Sequence, residues 1–415
     1  MLMQNGLSDV HNTVQSVDHP RRDGMTATQD SFLEVILCSS FDTCSPFEQE
    51  LSSALPVIPF GTPHWLDSWS RTLGKKYGLD IVIAIGSLGD ATVVILPLAL
   101  ERTAGIARLS FLGHQNGNQN TGVWDAEFYA SVTSTQINAF LSEICRRAGA
   151  DLVTLHNVPE VWQGRPHPLV LETATQSPSP IFVRSLPSDF EELFRETHGK
   201  SSRKSLLRKQ RHLQAFSEYK VVKASTAEEI RNGLAAFLDQ RAKRAATVGI
   251  PNAFGDPEGQ EFLERLLGLR SSEAAPGDHS LDLWYLETGG AIRATYLCAE
   301  RSGTIYTYSN SIAHDELLQY SPGIVLVKEI IAYACAAPHL DTIDLGLGEE
   351  RYKTDWAEAV RLNDSLFAAT WKGRLLGDLE KTKIRTKAAI RNSQTLWPLV
   401  RRLRKWRAEA GKRAQ

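Results

Sequence analysis

Apolar positions change their spacing several times along the chain, and each change predicts an element. In GTPHWLDSWSRTLGKKYG, Trp65, Leu66, Trp69 and Leu73 recur at helical spacing. Thr62 stands where a helix cap belongs, and Pro63 suits a first turn whose amide has no partner. The next stretch, LDIVIAIGSLGDATVVILPLALER, holds two β-branched runs around Ser-Leu-Gly-Asp and predicts a hairpin. ARLSFLG predicts a third strand, STQINAFLSEICRRAGA a helix capped by Ser134 or Thr135, and DLVTLHNV a fourth strand. Ahead of all this, residues 1–54 read as a weakly ordered polar leader with one strand-like patch, Phe32–Cys38.

Glu172–Pro180, ETATQSPSP, reads as a linker or an ordinary surface loop. Beyond it the order recurs. SDFEELFRET and SSRKSLLRKQRHLQAF predict helices, EYKVVKAS a strand, and two more helices follow. LDLWYLETGGAIRATYLCAERSGTIYTYSNS predicts three strands joined by turns at Gly289-Gly290 and Ser302-Gly303. Then comes LLQYSPGIVLVKEIIAYA. Its β-branched residues favour a strand locally, but Pro322–Ala336 is too long for an ordinary buried strand, so the pattern predicts a helix. HLDTIDLG closes the series as a strand. Both halves thus place a meander before a helix and a strand, which predicts an α/β protein.

Length and charge refine this picture. A chain of 415 residues exceeds one core and suggests a leader (1–54), a first half with linker (55–180), a second half (181–371) and a tail (372–415). The net charge of -2 hides an asymmetry: Lys372–Gln415 holds fourteen Lys/Arg and three Asp/Glu, giving +11, and the rest carries -13. Such a tail suits an anionic membrane surface or an acidic polymer, or else it is a solvated segment. Its leucines and tryptophans interleave with Arg and Lys, as in a helix lying on anionic lipid. Five scattered cysteines without a CxxC pair argue against zinc and disulfide frameworks and fit a reducing cytosol. The longest apolar stretch, 81–100, is interrupted by Gly86, Gly89 and Asp90. No signal peptide or membrane span is expected, and the expected place is cytoplasmic, peripheral at the inner membrane face if the tail docks there.

Candidate chemistry gathers late in the chain. A helix opened by Ser-Pro-Gly presents amides at its positive end, an anion cradle. Asp344 ends a strand that runs into Gly346 and Gly348, and Glu349, Glu350, Tyr352 and Lys353 follow. Asp344 could act as a base or cap the glycine turn; Glu349 and Glu350 are the other base candidates. On the helix from Lys200 to His212, steps of four and three put Lys204, Arg208 and Arg211 on one face, with Arg203 nearby: a surface for an anionic acceptor or RNA, or a solvated face. His314 and Asp315 lie in a loop. The polar loop HQNGNQNTG could line an acceptor site between the halves or be a plain loop.

YSPG with its apolar helix, DLGLGEERYKTDW roughly 20 residues later and the upstream SSRKSLLRKQRHLQ together resemble the CelD-like branch of the GNAT acyltransferase superfamily, which is similar to the Fem-type aminoacyl transferases. The likeness is strongest over residues 185–356 and looser over 55–165. It implies two GNAT-like halves, each a mixed, mostly antiparallel sheet flanked by helices. The donor's pyrophosphate would lie at Tyr320, Ser321, Pro322, Gly323 and Ile324, with Lys353 as a further phosphate ligand and Tyr352 protonating the leaving thiolate. The co-substrate implied is acyl-CoA or acetyl-CoA, without a metal, although Ser-Pro-Gly departs from the glycine-richer loop of typical members and leaves a carrier-bound donor open. Asp344 and Glu349 would serve catalysis, and Arg203, Lys204, Arg208, Gly346 and Gly348 the amine acceptor. Polysaccharide or envelope biosynthesis is the context the family implies. Two alternatives stay open: a Fem-type transferase using aminoacyl-tRNA, and a non-catalytic adaptor at a membrane-bound polysaccharide synthase.

Overall fold

The computed structural model describes residues 32–41, 54–216, 218–248, 252–270 and 279–392. Most of the leader, and residues 393–415 of the tail, lie outside the described residues. Elements are numbered along the chain. The first half comprises β1 (Glu34–Cys38), α1 (Pro63–Trp69), α2 (Lys75–Tyr77), β2 (Asp80–Leu88), β3 (Ala91–Thr103), β4 (Ile106–Phe111), β5 (Val123–Trp124), α3 (Ala126–Ser131), α4 (Ser134–Ala148) and β6 (Leu152–Pro159). A small ribbon, β7 (Val161–Trp162) with β8 (Arg165–Pro166), and the short β9 (Thr175–Gln176) follow. Local signals behave as read: Thr62 Oγ1 accepts from the Trp65 amide, and α4 carries a capping box, though on Thr133. The leader's apolar patch is β1, the edge strand beside β2.

The second half comprises β10 (Ile181–Ser185), α5 (Phe190–Thr197), α6 (Lys200–Gln214), β11 (Lys220–Lys223), α7 (Ala227–Val248), α8 (Pro257–Leu266), β12 (Asp282–Thr288), β13 (Ala291–Arg301) and β14 (Thr304–Ile312). Then come α9 (Pro322–Ala336), β15 (Thr342–Leu347), α10 (Arg351–Trp356), β16 (Glu358–Val360), β17 (Leu362–Ala368) and α11 (Trp371–Asn392). The two large sheets run β1-β2-β3-β4-β6-β17-β9, with β5 on β3, and β11-β12-β13-β14-β15-β10-β16. Both are mixed and mostly antiparallel, each with one parallel pair, β4 with β6 and β14 with β15, and each is flanked by helices. The chain visits the second sheet between β10 and β16 and then returns at once, because β17 pairs with β6 and β9 of the first.

The described residues form one compact unit. Its halves share a core: Trp65 of α1 meets Phe262 of α8 and Tyr308 of β14 edge-on, with ring centroids 5.4 and 5.0 Å apart. The apolar run after Ser-Pro-Gly is the helix α9, and tertiary burial decides it. Val325, Leu326, Val327, Ile330 and Ile331 are all buried between the second sheet and α5 and α6. Burying one such side chain is worth ~1.5–3 kcal/mol, against a helix-propensity cost of at most about 0.7 kcal/mol per residue.

Candidate active site

The parallel pair β14–β15 builds the frame. Its strands are in register from Thr304↔Thr342 to Tyr306↔Asp344 and then part. Asp344 is the last residue of β15 paired with β14 and is 2% exposed. Burial raises its carboxyl to about 6, while the Gly346 amide, Lys353 and the Gln119 amide pull the other way. Both oxygens are held: Gly346 N–H donates to Oδ1 at 2.7 Å and Gln119 Nε2 to Oδ2 at 2.9 Å. Gln119 comes from the first half. Beside it, Asn118 Nδ2 points at the Thr307 carbonyl from 3.4 Å. The polar loop after β4 therefore fills the gap between β14 and β15. Gly346 must be glycine there, since its φ is +72° and a Cβ would lie 2.7 Å from both Asn118 Nδ2 and the Thr307 oxygen. Its role in the structure is this close packing, where an acceptor contact was expected.

Beyond β15 the chain enters α10. The Tyr352 hydroxyl lies 2.9 Å from that of Tyr296 on β13 and hydrogen-bonds Glu350. Burial, reinforced by the neighbouring Tyr296 and Glu350, pushes the Tyr352 phenol above its ordinary value. Tyr352 lines a cavity of about 290 Å³ together with Ser202, Ser205 and Lys209 of α6, Ile324 of α9 and Arg351 of α10. The basic helix α6 thus covers the opening of α9. Lys209 Nζ donates to Ser321 Oγ at 2.9 Å, and Gln210 and Lys328 both hydrogen-bond Glu329, tying α6 to α9. Ser321 sits in the left-handed region with φ +52° and ψ +58°. That conformation costs a residue with a side chain roughly 1–3 kcal/mol, so the surrounding contacts hold it in place.

Several residues take tasks other than those expected. The Ser321 amide donates to Leu318 O at 2.9 Å and the Ile324 amide to Ser321 O at 3.0 Å, so two of the cradle's amides are already engaged. Pro322 is buried and has no amide hydrogen. Gly323 is bare because a Cβ would lie 2.6 Å from Ile312 Cδ1: what approaches its backbone is β14. Tyr320 stacks on His212 of α6, with ring centroids 4.8 Å apart. Lys353 is 3% exposed and its ammonium serves Leu347 O at 2.6 Å, Gly346 O at 3.4 Å and Glu350 at 3.2 Å. It secures the end of β15, which leaves no free N–H for a phosphate. Gly348 N–H donates to Pro180 O at 3.1 Å, and Glu349 is exposed. Arg203 bonds the carbonyls of Arg195 and His198, bracing the turn between α5 and α6, while Lys204 and Arg208 are exposed. Asp315 pairs with Arg293 at 2.7 Å, and His314 is exposed.

The residues that sequence reasoning missed are Lys209, Ser202, Ser205, Arg351 and Tyr296. Lys209 had a usable signal: it lies on the same face as Leu206 and Leu213, which are buried, so it had to turn inward. A larger hollow, about 670 Å³, lies beside Glu300 and Arg301, where Phe41 and His279 adjoin segments outside the described residues. Among the described residues, no group of three His, Cys, Asp or Glu is arranged to hold a metal ion, and no helix is long and apolar enough to cross a membrane.

Comparison with known proteins finds a family match in this half and a fold match over both. Residues 200–354 match the family model described as an acetyltransferase (GNAT) domain. The crystal structure of FemX superposes with a TM-score of 0.54 at 11% identity, covering 83% of this chain and 99% of that one. The fold is that of the GNAT superfamily. A conserved protein of unknown function from Bacteroides thetaiotaomicron gives a TM-score of 0.49 at 11% identity, over 80% and 99% of the two chains. L-PGS from Bacillus licheniformis gives 0.45 at 9% identity, over 79% and 98%. No curated protein matches the sequence.

Proposed function

We propose that the chain transfers an acyl group from a thioester donor of the acyl-CoA type to an amine. One observation carries the reading. The stretch that matches the GNAT domain supplies Ser202, Ser205, Lys209, Ile324, Arg351 and Tyr352, which line a cavity at the opening of α9. Lys209 and Arg351 bring to that cavity, which Asp355 also lines, cationic groups suited to a donor's phosphates. In this reading the amine nitrogen attacks the thioester carbonyl carbon, the C–N bond forms, the C–S bond breaks and the amine's proton passes to Asp344. A carboxyl value of about 6 leaves Asp344 largely ionised at neutral pH and still basic enough to accept a proton. Gln119 orients it. The Tyr352 hydroxyl donates a hydrogen bond to the departing sulfur as its charge grows. Burial makes that phenol a weaker acid than an ordinary one near ~10, and a thiol lies near ~8.5. Tyr352 therefore steadies the thiolate without giving up its proton, and water completes the protonation. The CelD-like resemblance adds an amine of a polysaccharide or envelope precursor as the acceptor.

A second reading keeps the frame and changes the donor to aminoacyl-tRNA. It is favoured by α6, whose exposed Lys200, Lys204, Arg208 and Arg211 form no ion pair among the described residues and suit nucleic-acid phosphates. Titration calorimetry with acetyl-CoA and longer acyl-CoAs separates the two. Binding by at least one of them, weakened about tenfold by Lys209→Ala, is the expected result. If none binds and transfer from aminoacyl-tRNA is RNase-sensitive, the second reading replaces the first. If neither donor is used, both are overturned.

A further inference from the structure

Most large apolar side chains exposed among the described residues stand singly, as on any protein surface. On α11 they do not. Trp371, Leu375 and Leu379 are 72%, 59% and 61% exposed and recur every four residues. On a helix they form one outward ridge about 12 Å long. The inner face of the same helix is small. Gly373 is pressed so closely on the first sheet that a Cβ would lie 1.9 Å from the Asp151 carbonyl oxygen. Gly377 is buried over Leu152 and Leu366, and Glu380 pairs with Arg108 of β4. A surface helix ordinarily turns its large apolar residues inward; α11 reverses that order. An apolar ridge of this kind marks a contact surface. At about 100° per residue, Lys372 and Arg374 fall on opposite flanks of it.

Charge names the partner. The 44 residues from Lys372 hold fourteen basic and three acidic side chains. A second copy docking through the same face would bring two segments of +11 together. A nucleic acid would answer the charge and leave the ridge in water. An anionic bilayer answers both. We propose that this face of α11 docks on an anionic lipid surface, Trp371, Leu375 and Leu379 entering the headgroup boundary while the flanking Lys372 and Arg374 meet lipid phosphates.

The test is cosedimentation of the full chain with vesicles of phosphatidylcholine, alone or with about a third phosphatidylglycerol. The expected result is binding to the anionic vesicles at least about tenfold tighter than to the neutral ones. The combined change Trp371→Ser, Leu375→Ser and Leu379→Ser should weaken it about tenfold, with unchanged circular dichroism. If that variant misfolds, Trp371→Ser alone is read instead, with about threefold weakening expected. Three results overturn the proposal. The chain binds neither vesicle; the substituted chain binds as well as the parent, so that charge alone suffices; or the parent is a dimer that the substitutions convert to monomer.

Discussion

In the first sheet β4 and β6 run parallel from Arg108↔Leu152 to Ser110↔Thr154 and then separate, just as β14 and β15 do in the second. The first gap is closed. His114 and His156 stack across it with centroids 5.0 Å apart, and the Asn120 side chain donates to the His156 carbonyl at 2.9 Å. Thr154 occupies the register position that Asp344 holds in the second sheet. Its hydroxyl donates to Leu109 O at 3.2 Å, so it is satisfied without charge. Burial lowers His114 to about 4, which keeps that ring neutral at physiological pH. The first gap's buried carboxylate, Asp364, lies one strand away on β17 and pairs with His156 at 3.6 Å; the second gap has its carboxylate on the parallel strand itself, a glycine that admits Asn118, and a strand that runs on into α10 and its cavity. One backbone frame thus occurs twice. What sets the second apart is an Asp where the first has Thr, and a helix opening walled by Lys209 and Arg351.

Four substitutions would break or sharpen that contrast. Asp344→Asn should reduce turnover by roughly 10²–10⁴-fold, the usual worth of a general base, measured as kcat with a saturating donor. Its effect on stability runs the other way. A carboxyl raised from 3.8 to about 6 binds its proton more tightly in the folded state, so the parent loses stability as pH rises through that interval. Above pH 6 the Asn variant should gain up to roughly 3 kcal/mol relative to the parent, and below about pH 4 nothing, as followed by denaturant melts at both values. Tyr352→Phe should cost about 10²-fold in kcat and leave donor affinity within about twofold, since the hydroxyl acts on a charge that develops late. Equal losses in kcat and affinity would make it a binding residue.

Gln119→Leu removes a donor to the ionised carboxylate and so raises Asp344 further. The ascending limb of the kcat–pH profile should move alkaline by about one unit, with roughly a twofold loss at pH 7 and recovery at pH 9. A loss that is uniform across pH would reduce Gln119 to a packing contact. The smallest effect is expected in the first gap. Thr154→Val should change turnover by less than about twofold and lower stability by about 1 kcal/mol, the worth of one neutral hydrogen bond. A large loss of activity there would show that the first gap also does chemistry.

Much of the architecture was legible. Apolar spacing gave the meanders, and Thr62-Pro63 gave the start of α1. The helix after Ser-Pro-Gly was recoverable from length alone, although its β-branched residues argued locally for a strand; burial on nearly every side decides the matter. Site roles were less legible because they depend on partners distant in sequence. Gly323 and Gly346 were visible as bare backbone, but only packing reveals that the neighbours are Ile312 in one case and Asn118 with Thr307 in the other. Lys353 looked like a phosphate ligand until its ammonium was found capping β15. The loop HQNGNQNTG was open to two readings, the lining of a site between the halves or a plain loop, and two of its side chains reach the β14–β15 gap. Which two, and that one of them grips Asp344 across 225 positions, no local pattern could say.

The return of the chain from β16 to β17 has a consequence during synthesis. On the ribosome, β6 emerges about two hundred residues before its neighbour β17. At translation speeds of roughly 5–20 residues per second, that strand edge waits about 10–40 s for its cover. A nascent chain so exposed has reason to need a chaperone's shelter, and no single proteolytic cut could release either sheet intact.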